Sequence, residues 1–178
     1  KKGGSYDVSW DRPSSIGKLH AFYGNAGVLI RAFCYILSMG AEGLRDASRL
    51  AVLSANYLRE NLKGDFTLPH DRPCMHECVF TDEKQRRRGI TALDIAKRLI
   101  DYGFHPPTIF FPLVVTGALM IEPTETESKE TLDDFIGVMK TIAREAEESP
   151  GLLKDAPHVS FRRRLDETLA ARELRLRD

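Results

Sequence analysis

The stretch ALMIEPTETESKETLDDFIGVMKTIA, Ala118 to Ala143, changes from one regular structure to another inside a few residues. Ala118 to Glu122 is a short apolar run of strand character, and Pro123 cannot extend it. Thr124 and Glu127 have the spacing of a capping box. From there to about Glu148, Leu132, Phe135, Ile136, Met139, Ile142 and Ala143 recur three and four apart, which predicts a long amphipathic helix. A strand that hands over to a helix through a proline turn predicts a sheet with a helix laid against it.

Working outward, Ile109-Phe110-Phe111 is a second short strand candidate, stopped by Pro112 and separated by Pro106-Pro107 from the helix before it. That helix opens at Thr91 with Asp94 three residues on. It shows Leu93, Ile95, Ala96, Leu99 and Ile100 on one face and ends at Gly103. Phe66 to Leu68 and Met75 to Thr81 read as two strands or one interrupted strand around the turn His70-Asp71-Arg72-Pro73. A helix is expected from about Ala41 to Leu62. Ala26 to Met39 is apolar almost all round, as in a helix buried on most faces, with Gly40 ending it. Residues 1–25 read as an entry arm, 26–150 as the domain proper, and 151–178 as a charged tail wrapping the surface. The strand connections are too short for many parallel crossovers. The fold class is therefore α/β in the two-layer α+β sense, a small mixed or antiparallel sheet covered by helices.

The chain has 178 residues, 42% of them hydrophobic, which gives about one domain with its own core. Twenty-six Lys plus Arg balance 26 Asp plus Glu, so no overall field draws a polyanion or an anionic membrane. The triplets Arg86–Arg88 and Arg162–Arg164 lack interleaved aromatics and read as solvated segments pairing with local acids. Cys34, Cys74 and Cys78 suit a reducing compartment, cytosol or organelle matrix, rather than a disulfide framework. Arg31 interrupts the longest apolar run before it reaches a membrane-spanning length, so no membrane is expected as a partner. The start Lys1-Lys2-Gly3-Gly4 reads as a point inside a longer protein.

Cys74, His76 and Cys78 alternate, and on one strand face they would lie too far apart for a tetrahedral metal site, so no metal is expected. There is no phosphate-binding glycine loop, no Gly-x-Ser-x-Gly and no His-Glu-x-x-His. The remaining candidates for lining a cleft are few. His105 is held before two prolines; Glu122 and Thr124 stand where strand passes to helix, a place that plain capping also explains; Arg72 lies in the His70–Pro73 turn and His76 follows it; Asn25 is also suited to helix capping.

Several strings together resemble one family: Pro13–Gly17, Phe22-Tyr23-Gly24-Asn25, Asp71-Arg72-Pro73-Cys74-Met75-His76-Glu77, Leu93–Leu99, Tyr102-Gly103-Phe104-His105-Pro106-Pro107-Thr108, Ala118–Leu132 and Arg163-Arg164-Leu165-Asp166-Glu167. In this order they are similar to the carboxy-terminal region of the glycine cleavage system P-protein, the pyridoxal-phosphate glycine decarboxylase. The resemblance implies the small carboxy-terminal domain of a fold-type I pyridoxal-phosphate enzyme, closing over a large domain that holds the cofactor. It implies decarboxylation of glycine on pyridoxal 5'-phosphate, with the aminomethyl group passed to the lipoyl group of the H-protein. The missing large domain or a partner P-protein subunit would be the other partner. The family's Schiff-base lysine follows a histidine, and no His-Lys pair occurs here, so no catalytic residue is assigned within this chain. The resemblance implies arginines near Lys18 and His20, and this chain departs from it there. A different class of function, a module docking a lipoyl carrier or partner subunit without catalysis, stays open. A cysteine desulfurase would need a mobile Cys loop, which is not apparent.

Overall fold

The structure is a computed structural model, and it describes Gly4, Tyr6, residues 12–17, residues 24–174 and Arg177. Phe22, Tyr23, Lys18 and His20 lie outside the described residues. The chain forms two compact units, Lys1–Glu42 and Gly43–Asp178.

In the first unit, Asn25 Oδ1 accepts the Val28 N–H at 3.2 Å and caps the start of α1 (Ala26–Leu62). The helix is interrupted where the sequence places a C-cap: Gly40 has φ 62°, ψ −176°, values open to glycine but costly for other residues. The burial expected for residues 26–39 is not found. Val28, Leu29, Ile30, Phe33, Ile36 and Leu37 are each more than half exposed. By length and composition α1 would also suffice to cross a membrane.

The second unit carries the core. Ser54, Ala55, Leu58, Arg59 and Leu62 of α1 are buried. β1 (Cys78–Thr81), β2 (Thr108–Ile109) and β3 (Ala118–Ile121) form an antiparallel sheet in the order β1-β3-β2. The register sets Cys78 opposite Ile121, Phe80 opposite Leu119 and Ile109 opposite Leu119. α2 (Glu83–Arg86) and α3 (Ala92–Asp101) follow β1; α4 (Lys129–Glu148), α5 (Pro150–Asp155) and α6 (Glu167–Arg172) follow β3. Phe66, Phe80, Ile95, Leu99, Leu119, Met139, Ile142 and Leu153 form the fully buried centre. Phe66 meets Phe80 edge to face at 6.2 Å.

Several boundaries differ from those the sequence suggests. α3 begins as expected: Thr91 Oγ1 accepts from the Asp94 N–H while the Asp94 carboxylate accepts from the Thr91 N–H. α4 does not start at the Thr124 box. Ser128 Oγ accepts the Thr131 N–H at 3.1 Å, and Thr124 closes only a turn through its carbonyl to the Glu127 N–H. Met75 to Glu77 are not strand, and Phe66 to Leu68 contribute one bridge, Thr67 to Thr81. β2 stops at Ile109 because Phe110 takes φ 59°. The segment after Pro150 does more than wrap: Leu153 and Ala156 are fully buried, and two short helices form. Arg86, read as part of a solvated loop, ends α2 and pairs with the fully buried Asp82 at 2.7 Å.

Asp82 Oδ2 also accepts the Ala92 N–H at 2.8 Å, tying the end of β1 to the start of α3. Gly117, at φ 67°, lies over this pair: a Cβ there would sit inside contact distance of Asp82 Oδ1 and Arg86 Nη2. Gly117→Ala is expected to lower stability by about 3 kcal/mol or more, adding displacement of a buried pair to left-handed strain. Gly89→Ala, with φ 76° and open space around it, should lose only about 1 kcal/mol. Denaturant midpoints of the two variants at constant m-value check the difference.

Burial raises the carboxyls of Asp94 and Asp101, but their donors outweigh it and hold both below the ordinary range; the Arg98 contacts lower Glu145. Groups with lowered folded pKa stabilise above their unfolded values and lose that contribution as pH falls through the folded ones. Stability should therefore fall steeply below about pH 4. Arg98→Met should flatten that slope in a pH series of thermal melts.

Candidate functional site

A concavity of about 280 Å³ opens where three elements of the second unit end. Leu58 of α1, Phe104, Ile121, Leu132 and Phe135 make its apolar wall; Pro106, Pro107 and Pro123 stiffen the turns above it. Its polar groups are His105, Glu122, Glu127 and Thr131. Each is placed by local rules. Gly103, at φ 80°, ends α3, and the Phe104 N–H returns to the Leu99 carbonyl at 3.1 Å. The Phe104 ring then meets Phe135 of α4 edge to face at 5.3 Å, which seats the His105-Pro106-Pro107 turn against the helix. Glu122 leaves the end of β3 at the apolar wall, and the His76 Nε2 lies 3.6 Å from its carboxylate, both side chains about half exposed. Glu127 and Thr131 lie at the start of α4, the end of the helix dipole that favours negative charge.

The structure thus brings His105, Glu122 and, through Glu122, His76 to one place. Thr124 does not line the concavity; its hydroxyl is 2.6 Å from that of Thr126 on the exposed turn. Asn25 caps α1 in the other unit. Arg72 lines a separate concavity with Arg59, Cys74 and Cys78. Glu127, Thr131 and the Phe104–Phe135 pair are the residues that the sequence reading missed. Glu127 was visible in the Glu-rich string but was assigned to capping, while a ring contact across 31 positions leaves no local pattern.

Cys74, His76 and Cys78 do not share a strand face, because only Cys78 lies in β1. The Asn56 amide brackets Cys74, donating to its carbonyl at 2.7 Å and accepting its N–H at 3.0 Å. Arg59 reaches Asp71 at 2.6 Å and also pairs with Glu60, so α1 fastens the whole 71–74 turn. Among the described residues no three His, Cys, Asp or Glu are grouped to hold a metal ion. Burial raises the Cys74 thiol and pushes Cys78 up to about 12, which keeps both protonated. Alkylation by iodoacetamide near neutral pH should therefore mark exposed Cys34 first, Cys74 slowly and Cys78 only after unfolding. Peptide mass spectrometry over a time course checks the order, and fast labelling of Cys78 contradicts its burial.

The model of the family described as glycine dehydrogenase, C-terminal domain, matches residues 47–158. The chain is 60% identical over 172 residues to the probable glycine dehydrogenase (decarboxylating) subunit 2 of Caldanaerobacter subterraneus subsp. tengcongensis, covering 97% of this chain and 36% of that protein. To the proteins of the same description from Oceanobacillus iheyensis and Halalkalibacterium halodurans it is 54% and 55% identical over 177 residues, 99% of this chain and 36% of each. The chain therefore spans about 36% of the length of these relatives. A crystal structure of glycine decarboxylase (P-protein) of the glycine cleavage system, in inhibitor-bound form, aligns with a TM-score of 0.50 at 20% identity over 61% of this chain and 24% of that one. That likeness is one of fold.

Proposed function

The chain belongs to the glycine dehydrogenase C-terminal domain family, and from that premise we propose that it is the small domain of a pyridoxal-phosphate glycine decarboxylase whose reacting groups lie in the rest of the enzyme. The observation that carries this reading is the concavity under His105. It has an apolar wall and oriented acid–base groups, but no lysine lines it. The cofactor does not fit these residues: no amine is present to hold its aldehyde, and Glu122 and Glu127 would repel its phosphate. No step of the reaction is assigned to this concavity by itself.

In this reading the domain contributes walls and positioned polar groups. The Pro106-Pro107 turn restricts the backbone that carries His105 at the mouth, and Phe104, Phe135 and Leu132 line the floor with apolar surface. His105 and Glu122 would face the interdomain cleft, with His76 holding the Glu122 carboxylate in place. Thr124, Arg72 and Asn25, displaced from this concavity, are retained only as contacts to the remaining polypeptide. Glycine, pyridoxal 5'-phosphate and the lipoyl group of the H-protein belong to the whole enzyme. The apolar side chains of residues 26–39 support the same division, since a helix apolar on most faces must be enclosed to be stable in water. The enclosing surface is assigned to the rest of the enzyme rather than a bilayer, because Arg31 falls within the apolar stretch and the helix is interrupted at Gly40, directly after it.

The 178-residue chain with added pyridoxal phosphate and glycine is expected to leave the cofactor's visible spectrum unchanged and to release no carbon dioxide. Release of carbon dioxide by this chain would refute the assignment. In the full-length enzyme with its partners, His105→Ala should lower kcat/KM for glycine by about 100-fold, the lower end of what a positioned acid–base group contributes. Thr124→Ala should leave it nearly unchanged. Equal effects of the two variants would remove the concavity from the reaction.

A further inference from the structure

Between β2 and β3 the chain runs Phe110-Phe111-Pro112-Leu113-Val114-Val115-Thr116-Gly117. Four of its apolar side chains face solvent: Phe110 is 48% exposed, Phe111 52%, Leu113 87% and Val114 89%. A pliant loop would fold such groups back onto the nearest apolar surface. This loop is tied open. The Phe110 N–H donates to the Ala118 carbonyl at 2.9 Å, and the Val115 N–H donates to the Pro112 carbonyl at 2.9 Å. Val115 is buried, and the Gly117 carbonyl accepts the Asp82 N–H at 3.0 Å. Phe110 itself sits at φ 59°, a region that bulky side chains rarely occupy, and this turn ends the sheet pairing beyond it.

We propose that Phe111, Leu113 and Val114 form a rigid apolar knob that seats in a recess of the same subunit's polypeptide outside these 178 residues. Three observations select that occupant. The relatives extend well beyond this chain, which spans 36% of their length, so a large covalently linked surface is at hand. Covalent linkage gives an effective concentration in the millimolar range, ahead of any second copy in dilute solution. Finally, no charged residue occurs between Thr108 and Ile121, so a phospholipid surface would find no cation in the knob to pair with its headgroups. An ordered loop also enters such a recess without the entropy cost of being fixed first. The inference rests on this loop and on the length of the relatives, not on the role given to His105.

The test uses the full-length subunit carrying Phe111→p-benzoylphenylalanine, prepared as an equal mixture of isotopically light and heavy protein. After irradiation and digestion, residue 111 should be joined to a segment outside residues 1–178, light only with light and heavy only with heavy. Mixed light–heavy pairs would show a second copy in the recess and overturn the proposal. Pairs confined to residues 1–178, or no pairs at all, would overturn it equally. Hydroxyl-radical footprinting of the unsubstituted full-length subunit is a second measurement, free of any folding defect of the variant. Leu113 and Val114 should be oxidised several-fold more slowly than the same residues in a short peptide, and equal rates would refute burial of the knob.

Discussion

One face of α3 holds the second unit together through charge. Asp94 accepts from the Thr91 N–H and hydroxyl, from Lys154 Nζ and from Arg164 Nη1, each near 2.8 Å. One turn on, Arg98 grips Glu145 of α4 with Nε and Nη2 at 2.9 and 2.8 Å, while Tyr102 donates to the same carboxylate at 2.6 Å. Asp101 then accepts the backbone N–H groups of His158 and Val159. A helix of ten residues thus fastens α4, α5 and the segment that follows. Asp94 and Asp101 are almost fully buried and Arg98 and Glu145 mostly so. The pairs replace water by several partners each, the condition under which a buried ion pair is tolerated, and removal of one partner leaves the others uncompensated. The apolar core beneath would hold helices at many angles; the fork of Arg98 on Glu145 selects one.

That fastening positions the candidate site at its far end. Glu145 anchors the last turns of α4, so the start of the same helix, with Thr131 and Phe135 in its first turns and Glu127 just before its Ser128 cap, inherits a fixed direction. The α3 end is fixed twice, by Asp101 to the 158–159 backbone and by Phe104 to Phe135. His105 follows directly. Stability network and site therefore share α3 and α4, with charge at one end and aromatic packing at the other.

What could be read from the sequence follows from the range of each interaction. The Thr91–Asp94 box, the Gly40 interruption and the Gly103 stop depend on residues a few positions apart, and they were legible. The sequence pattern places the start of α4 at Thr124, four residues before Ser128, which is also of a capping residue type. Ser128 wins in the structure, and Thr124 is left on a turn with Thr126. The strand at Phe66 to Leu68 had the right residue types but found one bridge, since strand length depends on a partner's register. Arg98 with Glu145 lies 47 positions apart and Lys154 with Asp94 60 apart, so the network had no local signature. Of the site, His105 is marked by the prolines after it and Glu122 by its place where strand passes to helix; Thr124 shares that place and Arg72 a turn, yet both lie elsewhere. Strand ends are common places for sites, but several diverge from one small sheet and they do not all converge.

The clearest misfit between pattern and surroundings, residues 26–39, carries its own argument. Val28 and Tyr35 fall on one side of the helix, Leu29 and Ile36 on another, and Ile30, Phe33 and Leu37 on a third, so a single flat partner surface could cover only part of it. Enclosure takes surfaces from more than one direction. Charged residues enter soon after Gly40, with Glu42, Arg45, Asp46 and Arg49 all exposed, while Ser54 to Leu62 return to a one-sided pattern with buried side chains. One continuous run of helical sequence thus passes from an all-round apolar stretch, through a solvated stretch, to a half-buried one. Each stretch meets a different environment. A helix so divided suits a chain whose apolar surface is completed by further polypeptide, which is also what we propose for the lysine-free concavity and the open apolar loop.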